Sequence, residues 1–236
     1  MIDFTAMARK AKAYNVILTE KQLSQLDCYA EMLVDWNNRM NLTSIVDSEG
    51  IMIRHFEDSL AVLRYISIPM NASLIDVGTG AGFPGMVLKI VRPDIRLTLL
   101  DSLNKRIMFL DEVLHQLQMT GTSVHMRAEE GSRKPEWREQ FDFSCARAVS
   151  EMRELSELCL PYVKIGGKFF ALKGRDVTEE LNAARPGIGQ LGGKVSGVSE
   201  YTISDGSERS LIIVDKIKPT PSVFPRTSAK IKKKPL

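Results

Sequence analysis

The chain has 236 residues, a hydrophobic fraction of 44% and a net charge of +3, so it is long enough for one sizeable core or for one core with a small appended subdomain. No apolar run approaches the roughly 18–20 residues of a membrane helix, and the N-terminus has no signal-peptide pattern, so we expect a cytoplasmic protein without a membrane span. Three widely spaced cysteines and three scattered histidines predict neither a disulfide framework nor a metal site.

The first elements along the chain are predicted to be helices. Residues 19–40 repeat apolar side chains at helical spacing, and Thr19 with Gln22 has the pattern of a capping box. A second helix is predicted over 51–66 from the same spacing. We therefore expect residues 1–70 to form a helical N-terminal extension packed on the next domain of the chain.

From Ser73 onward, short apolar runs alternate with helical patterns. The predicted strands are SLIDVG, RLTLLD, SVHMR, FDFSCAR and GKFFALK, and the predicted helices lie near residues 85–92, 103–118, 150–163 and 176–185. The last of these helices is expected to end before Pro186, where the pattern changes. Alternation of strands and helices predicts a parallel sheet with helices on both faces.

The sheet is predicted to end in a hairpin. Residues 194–204 and 209–216 are rich in strand-forming residues, and the turn signal Asp205-Gly206 joins them. A mostly parallel sheet that finishes in an antiparallel hairpin predicts an α/β, Rossmann-like fold of the class I S-adenosylmethionine-dependent methyltransferase type. We assign this domain to residues 71–217.

The remaining residues, 218–236, are predicted to form a basic C-terminal tail. Seven basic and no acidic residues lie in 216–236, which leaves residues 1–215 with a net charge of −4. A tail of this kind suits contacts with nucleic-acid phosphates, because each neutralised phosphate releases counterions. The alternative is a frayed terminus that only improves solubility.

The stretch LIDVGTGAGFPG, residues 74–85, places four glycines directly after a strand. Glycines allow a tight turn and let a ligand approach the backbone closely. Residues 80–85 match the G-x-G-x-x-G pattern of dinucleotide sites, and Asp101 lies at the expected distance for a ribose-binding acid. A dinucleotide-binding regulatory protein therefore stays open as an alternative.

The same loop also matches the D-x-G-x-G-x-G pattern of an S-adenosylmethionine site. The residues that would line this site are Asp76, Gly78, Gly80 and Gly82. In this interpretation Asp76 meets the sulfonium end or the amino group of the donor, and Asp101 binds both ribose hydroxyls. The acid ahead of the first glycine and the terminal hairpin favour the methyl donor.

Two further candidates come directly after other predicted strands, where ligands bind in open α/β sheets. Ala128 and Glu129 come after SVHMR and are expected to flank the adenine, although a solvated loop acid is the common alternative. Arg147 comes after FDFSCA and is expected to point into the crevice beside the transferred methyl group, which makes it the catalytic candidate. A structural ion pair is its alternative role.

The segment at the end of the fourth predicted strand suggests the acceptor chemistry. It lacks the [DN]-P-P-[YF] motif of many amino-group methyltransferases, and Cys145 lies mid-strand without the neighbouring proline of pyrimidine C5 enzymes. No general base is evident. A heterocyclic lone pair such as guanine N7 carries no proton to remove, so proximity and orientation would supply most of its catalysis.

The motifs as a set resemble the bacterial small-subunit ribosomal RNA methyltransferase G family, also called glucose-inhibited division protein B. They run in the family's order, as WNNRMNLTS (36–44), RHFEDSL (54–60), DVGTGAGFPG (76–85), LLDSLNKRIMFL (99–110), RAEE (127–130), ARA (146–148), ALKG (171–174) and FPR (224–226). The resemblance covers about residues 20–236. The combination of these motifs is specific for the family, although no single motif is.

This resemblance implies an enzyme that methylates guanine N7 in 16S ribosomal RNA near the decoding centre, in the 530 loop, either in the RNA or in the small ribosomal subunit. We expect the protein to be a monomer. It implies S-adenosylmethionine contacts at Gly78, Phe83, Ala128, Glu129 and Arg147, with Asp101, Ser102 and Leu103 near the ribose. The candidates for RNA phosphates are Lys173, Arg226, Lys230, Lys232, Lys233 and Lys234. Methylation of a small molecule, with a merely solubilising tail, is the alternative.

Overall fold

The computed structural model describes residues 2–236, and the N-terminal part of these is helical. Its elements are α1 (Phe4–Lys12), α2 (Glu20–Met40), α3 (Ser48–Gly50), a π-helix (Ile51–Glu57), α4 (Asp58–Leu60) and α5 (Val62–Tyr65). Helix α2 begins as predicted, because Thr19 and Gln22 form the capping box. The helix expected over 51–66 is present, but its first seven residues are π-helical. Helix α1 escaped prediction because its buried face consists of only Met7 and Ala11.

A seven-stranded sheet comes next within the described residues. Its strands are β1 (Ser73–Val77), β2 (Arg96–Asp101), β3 (Thr122–His125), β4 (Phe141–Arg147), β5 (Val163–Lys173), β6 (Gly193–Thr202) and β7 (Glu208–Lys216). The spatial order is β3-β2-β1-β4-β5-β7-β6. Strands β1 to β5 pair in parallel, whereas β7 is antiparallel to both β5 and β6. This order confirms the predicted methyltransferase fold and its closing hairpin.

The later helices connect these strands or come after them. They are α6 (Gly85–Val91), α7 (Asn104–Gln116), α8 (Ala128–Gly131), α9 (Met152–Cys159), α10 (Thr178–Gln190) and α11 (Ser228–Lys233). The predicted end of α10 is wrong, because the helix continues through Pro186 to Gln190. Proline removes one helical hydrogen bond, but buried Leu181 and Ile188 hold the helix on both sides of it. None of the helices in residues 2–236 has the length and apolarity needed to cross a membrane.

The sheet separates two apolar clusters, because successive strand side chains point to opposite faces. Leu74 and Leu99 pack on the side of the N-terminal helices, together with residues of α1 and α2. Ile75 and Leu100 pack on the other side, together with residues of α9 and α10. The N-terminal helices thus share a core with the sheet. The division of the chain into residues 1–70 and 71–217 stays a prediction.

The C-terminal tail is docked on the core, so it is not the frayed terminus that the sequence left open as an alternative. Three arginines from earlier in the chain donate hydrogen bonds to its backbone carbonyls, namely Arg138 to Thr220 and Phe224, Arg133 to Pro225, and Arg153 to Pro235 and Leu236. Ile231 of α11 is 2% exposed, so one apolar side chain also anchors the short helix. The backbone that carries the tail lysines is therefore held in place.

Candidate active site

The loop between β1 and α6 adopts a conformation that depends on glycine. Gly78, Gly80 and Gly82 have φ angles of +68°, +62° and +100°, a region that other residues rarely occupy. A Cβ on Gly82 would lie 2.5 Å from the hydroxyl of Tyr29, so the loop also packs tightly on α2. At Gly80, a Cβ would have no described atom within 4 Å. The loop is closed on its inner side and open to a ligand at Gly80.

Asp76 lies beneath this loop and not on its open side. Its side chain is fully buried, and Oδ2 accepts hydrogen bonds from Thr79 Oγ1 at 2.8 Å and from Gly85 N at 2.9 Å. The motif predicts that Asp76 contacts the sulfonium end or amino group of the donor. The observed hydrogen bonds instead support a role in shaping the loop, and a direct contact with the donor stays a prediction.

The start of α6 distinguishes between the two interpretations of the glycine loop. The pyrophosphate of a dinucleotide binds free N–H groups at a helix N-terminus. Here the N–H of Gly85 donates to the Asp76 carboxylate, the N–H of Met86 donates to the carbonyl of Gly82, and Pro84 has no N–H. A carboxylate already occupies the anion position and would repel a phosphate. The geometry therefore disfavours a dinucleotide and leaves the methyl-donor interpretation.

Replacing Asp76 with asparagine is expected to change how stability depends on pH. Burial raises the pKa of Asp76 from 3.8 to about 6. The native state therefore holds a proton between pH 4 and 6 that the unfolded chain releases, so this group lowers stability as pH rises, by about 3 kcal/mol in total. The free energy of unfolding of the Asp76→Asn variant should not show this decrease as pH rises. Urea unfolding from pH 4 to 7 measures that free energy.

The exposed substitution Asp35→Asn is the matched control for this measurement. Asp35 pairs with Arg39 on the surface of α2, with 58% of its side chain exposed. The quantity to compare is the difference between variant and wild type, since other carboxylates titrate in both proteins. A stability difference between Asp76→Asn and wild type that stays constant from pH 4 to 7 would contradict the raised pKa.

Asp101 connects the glycine loop with the loop at the end of β2. Its side chain is almost fully buried, and Oδ1 accepts from Leu103 N at 2.9 Å. Oδ2 accepts from Gly80 N at 2.9 Å and from Arg106 Nη1 at 3.1 Å. Ser102 and Leu103 themselves are exposed beside it. The Asp101 carboxylate thus joins the backbone N–H groups of Gly80 and Leu103. Its contact with the ribose stays a prediction.

Phe83 lies at the centre of an aromatic cluster. Its ring stacks on Tyr29 of α2, with centroids 5.3 Å apart, and on His55 of the π-helix, with centroids 4.3 Å apart. The hydroxyl of Tyr29 donates to the carbonyl of Ala81. The sequence assigns no role to Tyr29, because helical spacing identifies a buried face but not the loop it contacts. The N-terminal helices therefore support the glycine loop directly.

Arg147, at the end of β4, is held by several acceptors. Nη1 donates to Asp58 Oδ2 at 3.1 Å and to the carbonyl of Arg54 at 2.9 Å, and Nη2 lies 3.1 Å from His55 Nδ1. The guanidinium carbon also lies 4.9 Å from the centre of the Phe83 ring. The ion pair expected as the alternative role of Arg147 is present. A catalytic role of Arg147 stays a prediction. These contacts already hold its guanidinium in place.

His55 is neutral and has a defined tautomer. Burial, with the charge of Arg147 as a second cause, lowers its pKa to about 3. Because a guanidinium only donates, Nδ1 must accept from Arg147, so Nε2 carries the proton and donates to Thr43 Oγ1 at 3.1 Å. His55 and Asp58, to which the sequence assigns no role, thus position Arg147 against the N-terminal segment.

Ala128 and Glu129 form the start of α8. The carbonyl of Ala128 accepts a hydrogen bond from the Tyr162 hydroxyl at 2.6 Å. Glu129 is only 9% exposed, so it is not the solvated loop acid that the sequence leaves as an alternative. Its contact with an adenine stays a prediction.

Two of the predicted RNA-binding cations are engaged within the protein. Lys173 Nζ pairs with Glu180 at 2.6 Å and donates to the carbonyl of Ser150. Arg226 binds the buried carboxylate of Glu157 through Nε and through Nη2, the latter at 2.6 Å. A phosphate would have to displace these carboxylates. The geometry therefore indicates that both side chains hold the structure together, and their contact with RNA stays untested.

The four tail lysines are placed differently. Lys230, Lys232, Lys233 and Lys234 are all exposed. They lie on or beside α11, whose position is fixed by buried Ile231 and by the hydrogen bonds to the tail backbone. They form an ordered basic surface, which we call the lysine patch.

The part of the chain that the structure describes offers neither a set of metal ligands nor a reactive cysteine thiol. Among residues 2–236, no group of three or more His, Cys, Asp or Glu side chains could hold a metal ion. Cys145 and Cys159 are fully buried free thiols, and burial raises the pKa of each well above its ordinary value. A neutral, buried thiol is a poor nucleophile. Cys145 therefore acts in packing.

The residues around the loop fit S-adenosylmethionine. Gly80 leaves an open face at the backbone, and the Asp101 carboxylate lies beside it at the end of β2. Phe83 and Arg147 form an aromatic and a cationic boundary on the side of β4. None of these features requires the ligand to carry a phosphate group.

Known proteins share both the sequence and the fold. A family model described as rRNA small subunit methyltransferase G matches residues 22–211. The ribosomal RNA small subunit methyltransferase G of Clostridium perfringens strain SM101 is 45% identical over 236 residues, which are 99% of this chain and 98% of that protein. The protein of the same name from Staphylococcus carnosus is 45% identical over 233 residues, covering 98% and 97%.

A solved structure supports the fold alone. An S-adenosylmethionine-dependent O-methyltransferase from Thermotoga maritima superimposes with a TM-score of 0.52 at 16% identity. The match covers 79% of this chain and 71% of the other. At this identity the likeness extends to the class I architecture, in agreement with the strand order.

Proposed function

Because the chain belongs to the rRNA small subunit methyltransferase G family, we propose that it methylates N7 of a guanine in the 530 loop of 16S ribosomal RNA, near the decoding centre. Its methyl donor is S-adenosylmethionine. The observation that carries the proposal is the joined site of Gly80, Asp101, Phe83 and Arg147 at the ends of β1, β2 and β4. The alternative small-molecule and dinucleotide functions are not favoured.

The chemistry needs placement more than proton transfer. S-adenosylmethionine supplies the methyl group: the N7 lone pair forms the new bond to carbon, and the electron pair of the broken bond stays on sulfur. No proton is removed, so the protein needs no general base. Its residues orient the two reactants and exclude water between them, which can account for a large part of such a rate.

Each predicted cofactor residue has a place in this proposal. Asp76, Gly78, Gly80 and Gly82 shape the loop under the donor, and Phe83 forms its apolar wall. Asp101, with Ser102 and Leu103 beside it, binds the ribose, and Ala128 and Glu129 flank the adenine. Arg147, fixed by Asp58 and His55, borders the reacting methyl group.

The partner in this proposal is 16S ribosomal RNA, free or in the small subunit, and the enzyme acts as a cytoplasmic monomer. The lysine patch supports this choice, because it presents four exposed cations on a docked segment of backbone. A gene deletion provides the direct test. Ribosomal RNA from cells lacking the protein should lose a single N7-methylguanine, mapped by chemical cleavage, and the cloned protein should restore it. A complete set of N7 methyl groups in the deletion strain would refute the proposal.

Neutralising part of the lysine patch should weaken RNA binding in a salt-dependent way. The double variant Lys232→Gln/Lys233→Gln removes two exposed cations. If each neutralises one phosphate, the slope of log affinity against log salt should become shallower by about 1–2. Filter binding to 16S RNA at several salt concentrations measures this slope. The matched control is Lys12→Gln/Lys21→Gln, which removes two exposed lysines from the N-terminal helices; an equal change in both would show a general charge effect.

A further inference from the structure

Two adjoining cavities lie at the end of the sheet opposite to the glycine loop. Their volumes are about 590 and 310 Å³, in the range of roughly 300–1,000 Å³ that small-molecule sites occupy. The larger cavity is lined by residues at the start of β1, β2 and β3, and the smaller one by residues of α2, α6 and the segment 118–120. Lys89, Pro93 and Thr120 line both. We call the two together the Lys89 cavity.

Lys89 is a buried cation without an opposite charge beside it. The residue is only 3% exposed, and its Nζ donates to the carbonyls of Pro93 and Ile95, each at 2.7 Å. Its third contact, with Thr120 Oγ1, is longer at 3.4 Å. No carboxylate within residues 2–236 forms an ion pair with it, and burial lowers its pKa. Because carbonyl oxygens do not neutralise an ammonium, a bound anion would stabilise the charged form.

The other charged residues of the lining leave the cavity positive. Lys21 on α2 and Arg96 at the start of β2 line it and are exposed. Among the described lining residues the one carboxylate is Asp94, which already accepts from Nε and Nη2 of Arg92 at 2.8 and 2.7 Å. Three cations thus face a carboxylate that Arg92 neutralises.

The donors of the lining suit a phosphate group. A phosphate monoester carries up to two negative charges and three acceptor oxygens, whereas a carboxylate carries one charge and two oxygens. Lysine commonly binds phosphate as a point charge, and the Thr120 hydroxyl can accept from Lys89 while donating its own proton to a ligand. We propose that the Lys89 cavity binds the phosphate group of a small molecule, with the phosphate between Lys89 Nζ and Thr120 Oγ1.

This site is independent of the proposed function, because it lies away from the donor. Strands β1 and β2 carry the glycine loop and Asp101 at their carboxyl ends, whereas Ser73 and Arg96 begin these strands and line the Lys89 cavity. Ligands of open α/β sheets ordinarily bind at the carboxyl ends of the strands. The Lys89 cavity is therefore a second site and not a part of the first.

Titration with inorganic phosphate at neutral pH tests the site. Saturating S-adenosylmethionine fills the donor site, and sodium chloride keeps the ionic strength constant. The methyl NMR signals of Ile95 and Met119, which line the larger and the smaller cavity, should shift and saturate, whereas that of Ile231 under the tail helix should not move. Ribose 5-phosphate distinguishes the source of the phosphate. An affinity at least about tenfold above that of inorganic phosphate indicates an ester, and equal affinities indicate the free ion.

Substitutions locate the binding at Lys89. Lys89→Met removes the ammonium but keeps an unbranched side chain, and should lower the affinity for phosphate at least about tenfold. Lys21→Gln changes an exposed lining residue, so folding is not at risk, and should lower it about two- to fourfold. The matched control is Lys12→Gln, an exposed lysine of α1 outside the lining, which should bind phosphate like the wild type.

Three results would overturn the site. The first is a wild type without saturable shifts at Ile95 and Met119, and the second is a folded Lys89→Met variant with unchanged affinity. If Lys89→Met does not fold, equal affinities of Lys21→Gln and Lys12→Gln are the third. Loss of methylation activity is not among these results, because a protein that methylates no 16S RNA and still shows the shifts refutes only the proposed function.

Discussion

Replacing Arg147 with alanine is expected to lower the single-turnover rate of methylation by at least about 100-fold, or roughly 2.7 kcal/mol. The reason is geometric. Asp58, His55 and the carbonyl of Arg54 hold the guanidinium, which also covers Phe83, so its loss removes the cationic boundary of the site on the side of β4. Misplacement of reactants by about 1 Å can cost this much. Rapid-quench methylation of small subunits measures the rate.

The same substitution should affect stability less than it affects the rate. Asp58 keeps the hydrogen bond from the Tyr201 hydroxyl at 2.9 Å, and Arg209 lies 3.6 Å from it, so the carboxylate is not left alone. The control is Arg147→Lys, which keeps the charge but cannot contact Asp58 and His55 in the same forked arrangement. It should recover stability but little activity. If Arg147→Ala loses only the activity that its unfolded fraction explains, Arg147 is a structural ion pair and nothing more.

Replacing Arg226 with alanine is expected to destabilise the protein by about 3–5 kcal/mol, because it leaves a buried carboxylate with the backbone N–H of residue 226 but without its cationic partner. Glu157 is completely buried, and it receives Arg226 Nε at 2.9 Å and Nη2 at 2.6 Å. At about 2–4 °C per kcal/mol for a chain of this size, Tm should fall by roughly 6–20 °C. Differential scanning calorimetry measures the change.

Two further variants identify the cause of that loss. Arg39→Ala removes an arginine from an exposed pair with Asp35, 2.8 Å apart, and should cost less than about 1 kcal/mol. The double variant Arg226→Met/Glu157→Leu removes both buried charges and should recover much of the lost stability. An unchanged Tm in Arg226→Ala, together with weaker binding of 16S RNA, would instead return Arg226 to the RNA-binding surface.

Features that arise from neighbouring residues could be predicted without the structure. The cap of α2 by Thr19 and Gln22 depends on positions three apart, and the strands are indicated by short apolar runs. The tight turn of the donor loop could be predicted from its glycines, because glycine readily adopts the positive φ angles that such a turn needs. The fold class could be inferred from the alternation of strands and helices and from the turn at Asp205-Gly206. These signals are local, so they can be recognised without knowledge of tertiary contacts.

The contacts of the polar side chains in the site depend instead on the tertiary structure. Arg147 meets Asp58 across 89 residues of chain, and Arg226 meets Glu157 across 69, distances over which sequence spacing carries no pairing information. For the same reason Asp76, interpreted from its motif as a ligand contact, lies buried under the loop. A charged residue in a motif can face either a ligand or a buried partner. Folding determines which, because burying a charge is costly unless an opposite charge or hydrogen bonds compensate it.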